Sequence, residues 1–254
     1  MTTSPAHSAP VRDGDALRHF ERIDERVRLV ARSLGAGEVQ YPALIARAVL
    51  EQAEYTQSFP HLLMSASCSD ATTEWCLSPA VCYHTYAQMA RGVIREGVAL
   101  TARGRCFRHE DGTSPGVRQI EFEMREIVLL GPPSWVDEST ERARRHIEVL
   151  ARDLGLSGDW HVAEDPFFLP SAAGKALMQR LMQVKHEYRL HEGQLAVASV
   201  NRHGSFFGQR FEITTPMGDP VHSACIAVGL DRWWHHVRSV NTTQEVTTCS
   251  GSSC

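Results

Sequence analysis

Residues 106–131 read CFRHEDGTSPGVRQIEFEMREIVLLG. A polar cluster rich in Gly, Ser and Pro separates two runs in which apolar and charged residues alternate, the pattern of paired strands around a turn. Extended leftward to Val98, the stretch predicts a long hairpin: strands over Val98–His109 and Arg118–Leu130, joined by the turn Glu110–Gly116. Alternate strand residues share a face, so Arg108 and Glu110 point together, as do Arg118, Phe122 and Glu126. Such a row of cations, carboxylates and one aromatic fits the floor of a binding site. It equally fits a solvated hairpin with its charges outward and Phe122 in the core.

Outward from the hairpin, helices and strands come in groups. Leu17, Phe20, Ile23, Val27, Val30 and Leu34 recur at helical spacing up to Gly35-Ala36-Gly37. A second helix is expected from Pro42 through Leu50, with loop and helix mixed over Leu77–Gly92. Helices are predicted at Val136–Leu154, Ala172–Leu190 and Asp231–Val237, and strands at Gln194–Val200, Phe206–Thr214 and Val221–Val228. Long strands joined by hairpins, with helices between groups of them, imply an α+β fold: an antiparallel β-sheet flanked by helices. The expected organisation is a disordered segment over 1–14, one domain over 15–238 and a flexible tail over 239–254.

The chain has 254 residues, 43% hydrophobic and 22% charged, enough for a substantial core. Its net charge of −4 lacks the basic excess of a protein that neutralises many phosphates, so nucleic acid is not an expected partner. The seven cysteines are scattered and odd in number, which fits a reducing cytoplasm better than a disulfide framework. No apolar leader and no run of about 18 apolar residues is present, so a soluble, cytoplasmic protein away from membranes is expected.

Three segments, in order, resemble the motifs of class II aminoacyl-tRNA synthetases. GAGEVQYPALIARAVLEQAEYTQSFPHLL (35–63) is similar to motif 1, a helix entered through a proline and then a strand. Residues 106–131 resemble motif 2, with its Phe-Arg-x-Glu and a return strand bearing Arg, Phe and Glu, and CIAVGLDRWW (225–234) resembles motif 3. Within the class the likeness is to atypical zinc-dependent seryl-tRNA synthetases and, more closely, to their short homologues, the amino acid:[carrier protein] ligases. DPFFLPSAAGKALMQRLMQVKHE (165–187) and ASVNRHGSFFGQRFEI (198–213) look like these short ligases. The resemblance implies loading of glycine or alanine onto the phosphopantetheine thiol of a carrier protein, using ATP and Mg2+, by a homodimer. With only residues 1–34 ahead of motif 1, a tRNA-binding arm and tRNA itself are not expected.

The resemblance also assigns roles. Arg108 matches the arginine bridging the α-phosphate and the amino acid carboxylate, and Arg232 the arginine at the γ-phosphate; these two are the catalytic candidates. Glu110 contacts the adenine side, Arg118 the outer phosphates, and Phe122 stacks on the base. Glu126 is the amine-binding carboxylate, which in the zinc forms ligates metal beside two cysteines, here Cys82 and Cys225, leaving a fourth position for the substrate amine. Read alone, those cysteines are as well ordinary buried thiols. Asn201 is a candidate for the amino acid pocket, Glu212 a candidate for magnesium, and His84, His109, His203 and His222 read as structural. Lys185 and Glu187 fit a solvated helix face. Two other functions stay open: a synthetase fragment charging tRNA with a partner chain, and an inactive paralogue serving as a binding subunit.

Overall fold

A computed structural model describes residues 11–67, 72–109, 118–163, 184–191 and 195–237. Helix α1 (Gly14–Ser33) is followed by strand β1 (Gly37–Glu38), β2 (Leu44–Ala46), α2 (Arg47–Gln52), α3 (Tyr55–Ser58), β3 (Ser65–Ala66), β4 (Trp75–Leu77) and α4 (Cys82–Gln88). Then come β5 (Val98–Phe107), β6 (Glu121–Gly131), α5 (Pro133–Asp153), β7 (Gly158–Val162), β8 (Lys185–Leu190), β9 (Ala196–Gly204), α6 (Phe206–Arg210), β10 (His222–Gly229) and a last helix, α7, over 230–237.

The main sheet has seven strands in the order β1-β5-β6-β10-β9-β8-β7, antiparallel except for the β1–β5 pair; β2, β4 and β3 form a small second sheet. The predicted hairpin lies near its middle, in register from Val98↔Leu130 to Phe107↔Glu121. One face is covered by helices: Phe20, Ile23 and Val27 of α1 and Ala143, Ile147 and Leu150 of α5 bury against Ile127, Leu129, Ile226 and Val228. Both helices stop the same way. Gly35 and Gly155 each sit at φ +76°, and the amides after them, Ala36 and Leu156, return to the carbonyls of Ala31 and Ala151. That closure needs a left-handed residue, which glycine supplies without steric cost.

A bidentate ion pair pins α1 to the sheet, with Arg125 Nε and Nη2 donating to the two Asp24 carboxylate oxygens at 2.7 and 2.9 Å. The opposite face of the sheet carries α4 and α6, where Tyr86, Phe207, Phe211 and Cys82 pack on Val128, Leu130 and Cys225.

Three expectations are corrected. The helix from Pro42 begins only at Arg47, because Leu44–Ala46 pairs with β4 and buries Ile45. Phe206–Thr214 is a short helix and loop rather than a strand: Phe207 and Phe211, four apart, both turn into the aromatic cluster around Tyr86, a helical spacing that overrides aromatic strand propensity. The helix expected over Ala172–Leu190 fails in its last part, since Lys185–Leu190 is strand β8 with Tyr188 and Leu190 buried at alternate positions; 172–183 lie outside the described residues. Lys185 and Glu187 therefore lie on a strand. Arg12, ahead of α1, is bonded to Glu123 and Asp231; residues 1–10 and 238–254, on which most of the expected terminal segments fall, lie outside the described residues.

Candidate active site

β6 builds the site by strand alternation. Its odd residues, Arg125, Ile127 and Leu129, face α1 and α5, while Phe122, Met124, Glu126 and Val128 face the other way. Directly paired residues share a face, so the pairs Cys106↔Phe122, Ala102↔Glu126, Cys225↔Val128 and Cys225↔Asn201 put Glu126, Cys225 and Asn201 on one floor. α4 delivers Cys82 from above that floor. The Cys82 backbone N–H donates to Glu126 Oε2, fixing the carboxylate against the helix start.

Cys82, Glu126 and Cys225 are all buried, and their ligand atoms lie within 4.8 Å of one another. No other described His, Cys, Asp or Glu joins them, and the described residues contain no second such group. Burial, together with the Cys225 charge, pushes the Glu126 carboxyl up to about 8. The hydrogen bond between the two sulfurs lifts the Cys82 thiol and lowers Cys225. Three acids this close cannot all ionise alone, whereas a divalent cation reverses the balance. Two thiolates and a carboxylate are a donor set that suits zinc.

Arg108 continues β5 on the same floor. Its Nε donates to Pro79 O at 3.0 Å, its guanidinium lies 5.2 Å from the Phe122 ring centre, and its charge pulls the Glu126 pKa down. Arg232, in the first turn of α7, donates to Ala196 O at 2.7 Å. Asp231 beside it is buried and accepts from Arg12 and from the Glu123 backbone N–H, which ties α7 to β6. Arg118 is exposed ahead of β6, and Glu110 lies outside the described residues. Glu212 is an exposed residue at φ +55°, 3.7 Å from Arg91 Nε.

Of the histidines, His84 stacks on Tyr41 at 5.3 Å, and burial lowers it to about 4, so it is neutral. His203 was read as structural, yet its Nε2 lies 3.8 Å from Cys225 Sγ, and its Nδ1 lies 3.2 Å from Tyr86 Oη and 3.3 Å from Ser223 Oγ. A signal for it existed: His203 follows Asn201 by two residues, so a strand carried past Val200 places both on the site face. Arg12 and Asp231 had none, because nothing in the sequence links the N-terminal segment to α7.

No family model matches the chain. No helix among the described residues is long and apolar enough to cross a membrane. In fold the chain is similar to the seryl-tRNA synthetase of M. kandleri, solved with A. aeolicus tRNASec (TM-score 0.75, 18% identity, 91% of this chain and 54% of that one). It is also similar to the prolyl-tRNA synthetase of Giardia lamblia (TM-score 0.73, 13% identity, 90% and 46%). The fold is that of a class II aminoacyl-tRNA synthetase catalytic core, and the chain spans about half the length of those enzymes. Among curated proteins it is 34% identical over 245 residues to amino acid–[acyl-carrier-protein] ligase 1 of Bradyrhizobium diazoefficiens, matching 84% of this chain and 75% of the relative. Ligase 2 of the same organism is 32% identical, covering 84% and 73%. With three quarters of such a relative matched and the synthetase core in place, the chain belongs to the amino acid–[acyl-carrier-protein] ligase family.

Proposed function

We propose that the protein activates a small amino acid, glycine or alanine, with ATP and transfers it to the phosphopantetheine thiol of a carrier protein. The observation that carries this reading is the buried Cys82–Glu126–Cys225 cluster on a sheet floor beside Arg108 and Phe122. Cys82, Glu126 and Cys225 would hold a zinc ion there, which would supply a Lewis acid for a neutral substrate amine. Arg108 would take the amino acid carboxylate, and Asn201, 3.6 Å from Cys225 Sγ, would line the amino acid pocket. Tyr86, Phe207 and His203 pack on one another behind the cluster.

A carboxylate oxygen attacks the α-phosphorus of ATP and Mg2+-pyrophosphate leaves, giving the aminoacyl-adenylate. Arg108 neutralises charge at the α-phosphate, Arg118 and Arg232 at the outer phosphates, and Phe122 stacks on adenine with Glu110 beside it. The carrier thiol, having lost its proton, then attacks the acyl carbon; AMP leaves and a thioester forms. The same reading takes residues 15–238 as one catalytic domain, expects the pair-forming motif 1 region to make a homodimer, and places the enzyme in the reducing cytoplasm, where free Cys76, Cys82, Cys106 and Cys225 persist.

The test mixes enzyme, ATP and glycine or alanine with holo-carrier, apo-carrier or total tRNA. Mass is expected on the holo-carrier alone, since only it bears the thiol. Aminoacylated tRNA with unmodified carriers would overturn the reading in favour of a synthetase fragment.

A further inference from the structure

Cys225 Sγ receives two nitrogens from β9: Asn201 Nδ2 at 3.6 Å and His203 Nε2 at 3.8 Å. His203 is outside the group whose ligand atoms lie within 4.8 Å of one another, so it stands behind the sulfur rather than among the ligands. Its plane is held by rings: Phe207 packs edge-on at 4.8 Å and Tyr86 at 6.0 Å.

A metal on Cys225 would fix the ring proton. A metal-bound thiolate has none to give, so a hydrogen bond at Nε2 requires the ring proton there. At the other nitrogen, Nδ1, lie the hydroxyls of Tyr86 at 3.2 Å and Ser223 at 3.3 Å. With Nε2 donating to the sulfur, Nδ1 is left to accept, and either hydroxyl can turn its proton toward it. The charge of the site gives this donor its purpose. Two thiolates and a carboxylate carry three negative charges against the two of a divalent ion, and N–H groups aimed at a sulfur offset the excess.

We propose that His203, its tautomer set by Tyr86 and Ser223, is a positioning residue that donates an N–H to the Cys225 thiolate and strengthens the hold on zinc. This rests on the zinc reading above. It makes His203 a partner of the ligand sulfur and not of the substrate.

The experiment uses the full chain stripped of metal, with zinc affinity measured by competition with a chromophoric chelator and Co2+ followed through its thiolate charge-transfer band. His203→Phe keeps a ring and removes the donor; outer-shell changes of this kind typically weaken metal binding by about 10–100-fold. That loss is expected, with the charge-transfer band moved to lower energy as the sulfur loses its hydrogen bond. His203→Gln, which can still donate an N–H, is expected to recover most of the affinity. Wild-type zinc affinity and band position in His203→Phe, or no recovery in His203→Gln, would overturn the proposal. Should His203→Phe fail to fold, Tyr86→Phe with Ser223→Ala, which frees the tautomer, is expected to weaken zinc, and unchanged affinity there would be the refutation. Failure of the zinc reading looks different: wild-type protein that takes up neither metal, or Cys225→Ser that binds undiminished.

Discussion

Replacing Asp24 by Ala tests the joint between α1 and the sheet. Arg125 is 3% exposed and Asp24 9%, and their bidentate contact is the buried ion pair between the helix and β6. Removing the carboxylate strands a guanidinium in the core, a change that costs about 3–5 kcal/mol in buried pairs. Two features place this case at the lower end. Glu38 Oε1, on a residue 41% exposed, stays 3.2 Å from Arg125 Nη1, and Arg103, whose Nη1 lies 3.5 Å from Asp24, loses a neighbour but keeps Glu21 and Glu123. The expected loss is therefore about 3 kcal/mol, or about 6–12 °C in Tm for a chain of this size. Urea unfolding measures it, with Arg125→Met and the double variant completing a cycle. Removing both charges is expected to cost less than the sum of the single changes, since most of the Asp24→Ala penalty is the orphaned cation. A loss under about 1 kcal/mol for Asp24→Ala, or strict additivity in the cycle, would refute the view that this pair fixes α1.

Arg108→Ala and Arg232→Ala are each expected to lower amino-acid-dependent pyrophosphate exchange by about 100-fold or more while leaving urea unfolding nearly unchanged, because they act on phosphate charge; wild-type exchange in either would remove that arginine from the site. A homodimer is expected in sedimentation at micromolar concentration, and a clean 28.3 kDa species would contradict it.

Much of this architecture was legible because β-strand alternation and helical periodicity are local signals. The hairpin, α1, α5 and the row through Phe122 and Glu126 follow from spacing alone, and Cys82 and Cys225 joined Glu126 through motif resemblance before any distance was known. The misreadings share one cause: short segments whose conformation is set by distant partners. Leu44–Ala46 is a strand because β4 lies beside it, and Phe206–Arg210 is a helix because Tyr86 offers Phe207 a stacking partner at 4.0 Å. Gly208 tightens the same corner, since a Cβ there would meet Val221 O at 2.2 Å. β9 runs to Gly204, past the expected end at Val200, and so carries His203 as well as Asn201.

β6 shows how a single strand reconciles these demands. Arg125 and Glu126 are adjacent, both buried, and opposite in charge, yet they cannot neutralise each other because the pleat sends them to opposite faces. Each needs a counter-group brought from elsewhere in the chain. For Arg125 it is Asp24, supplied by α1 as a permanent partner. For Glu126 it is a backbone N–H from α4 and two thiols, none of them a cation, and burial raises its pKa to about 8 as a result. The first face is thereby closed and serves the fold. The second holds Glu126 with Cys82 and Cys225, so adjacent positions of one strand serve two different environments.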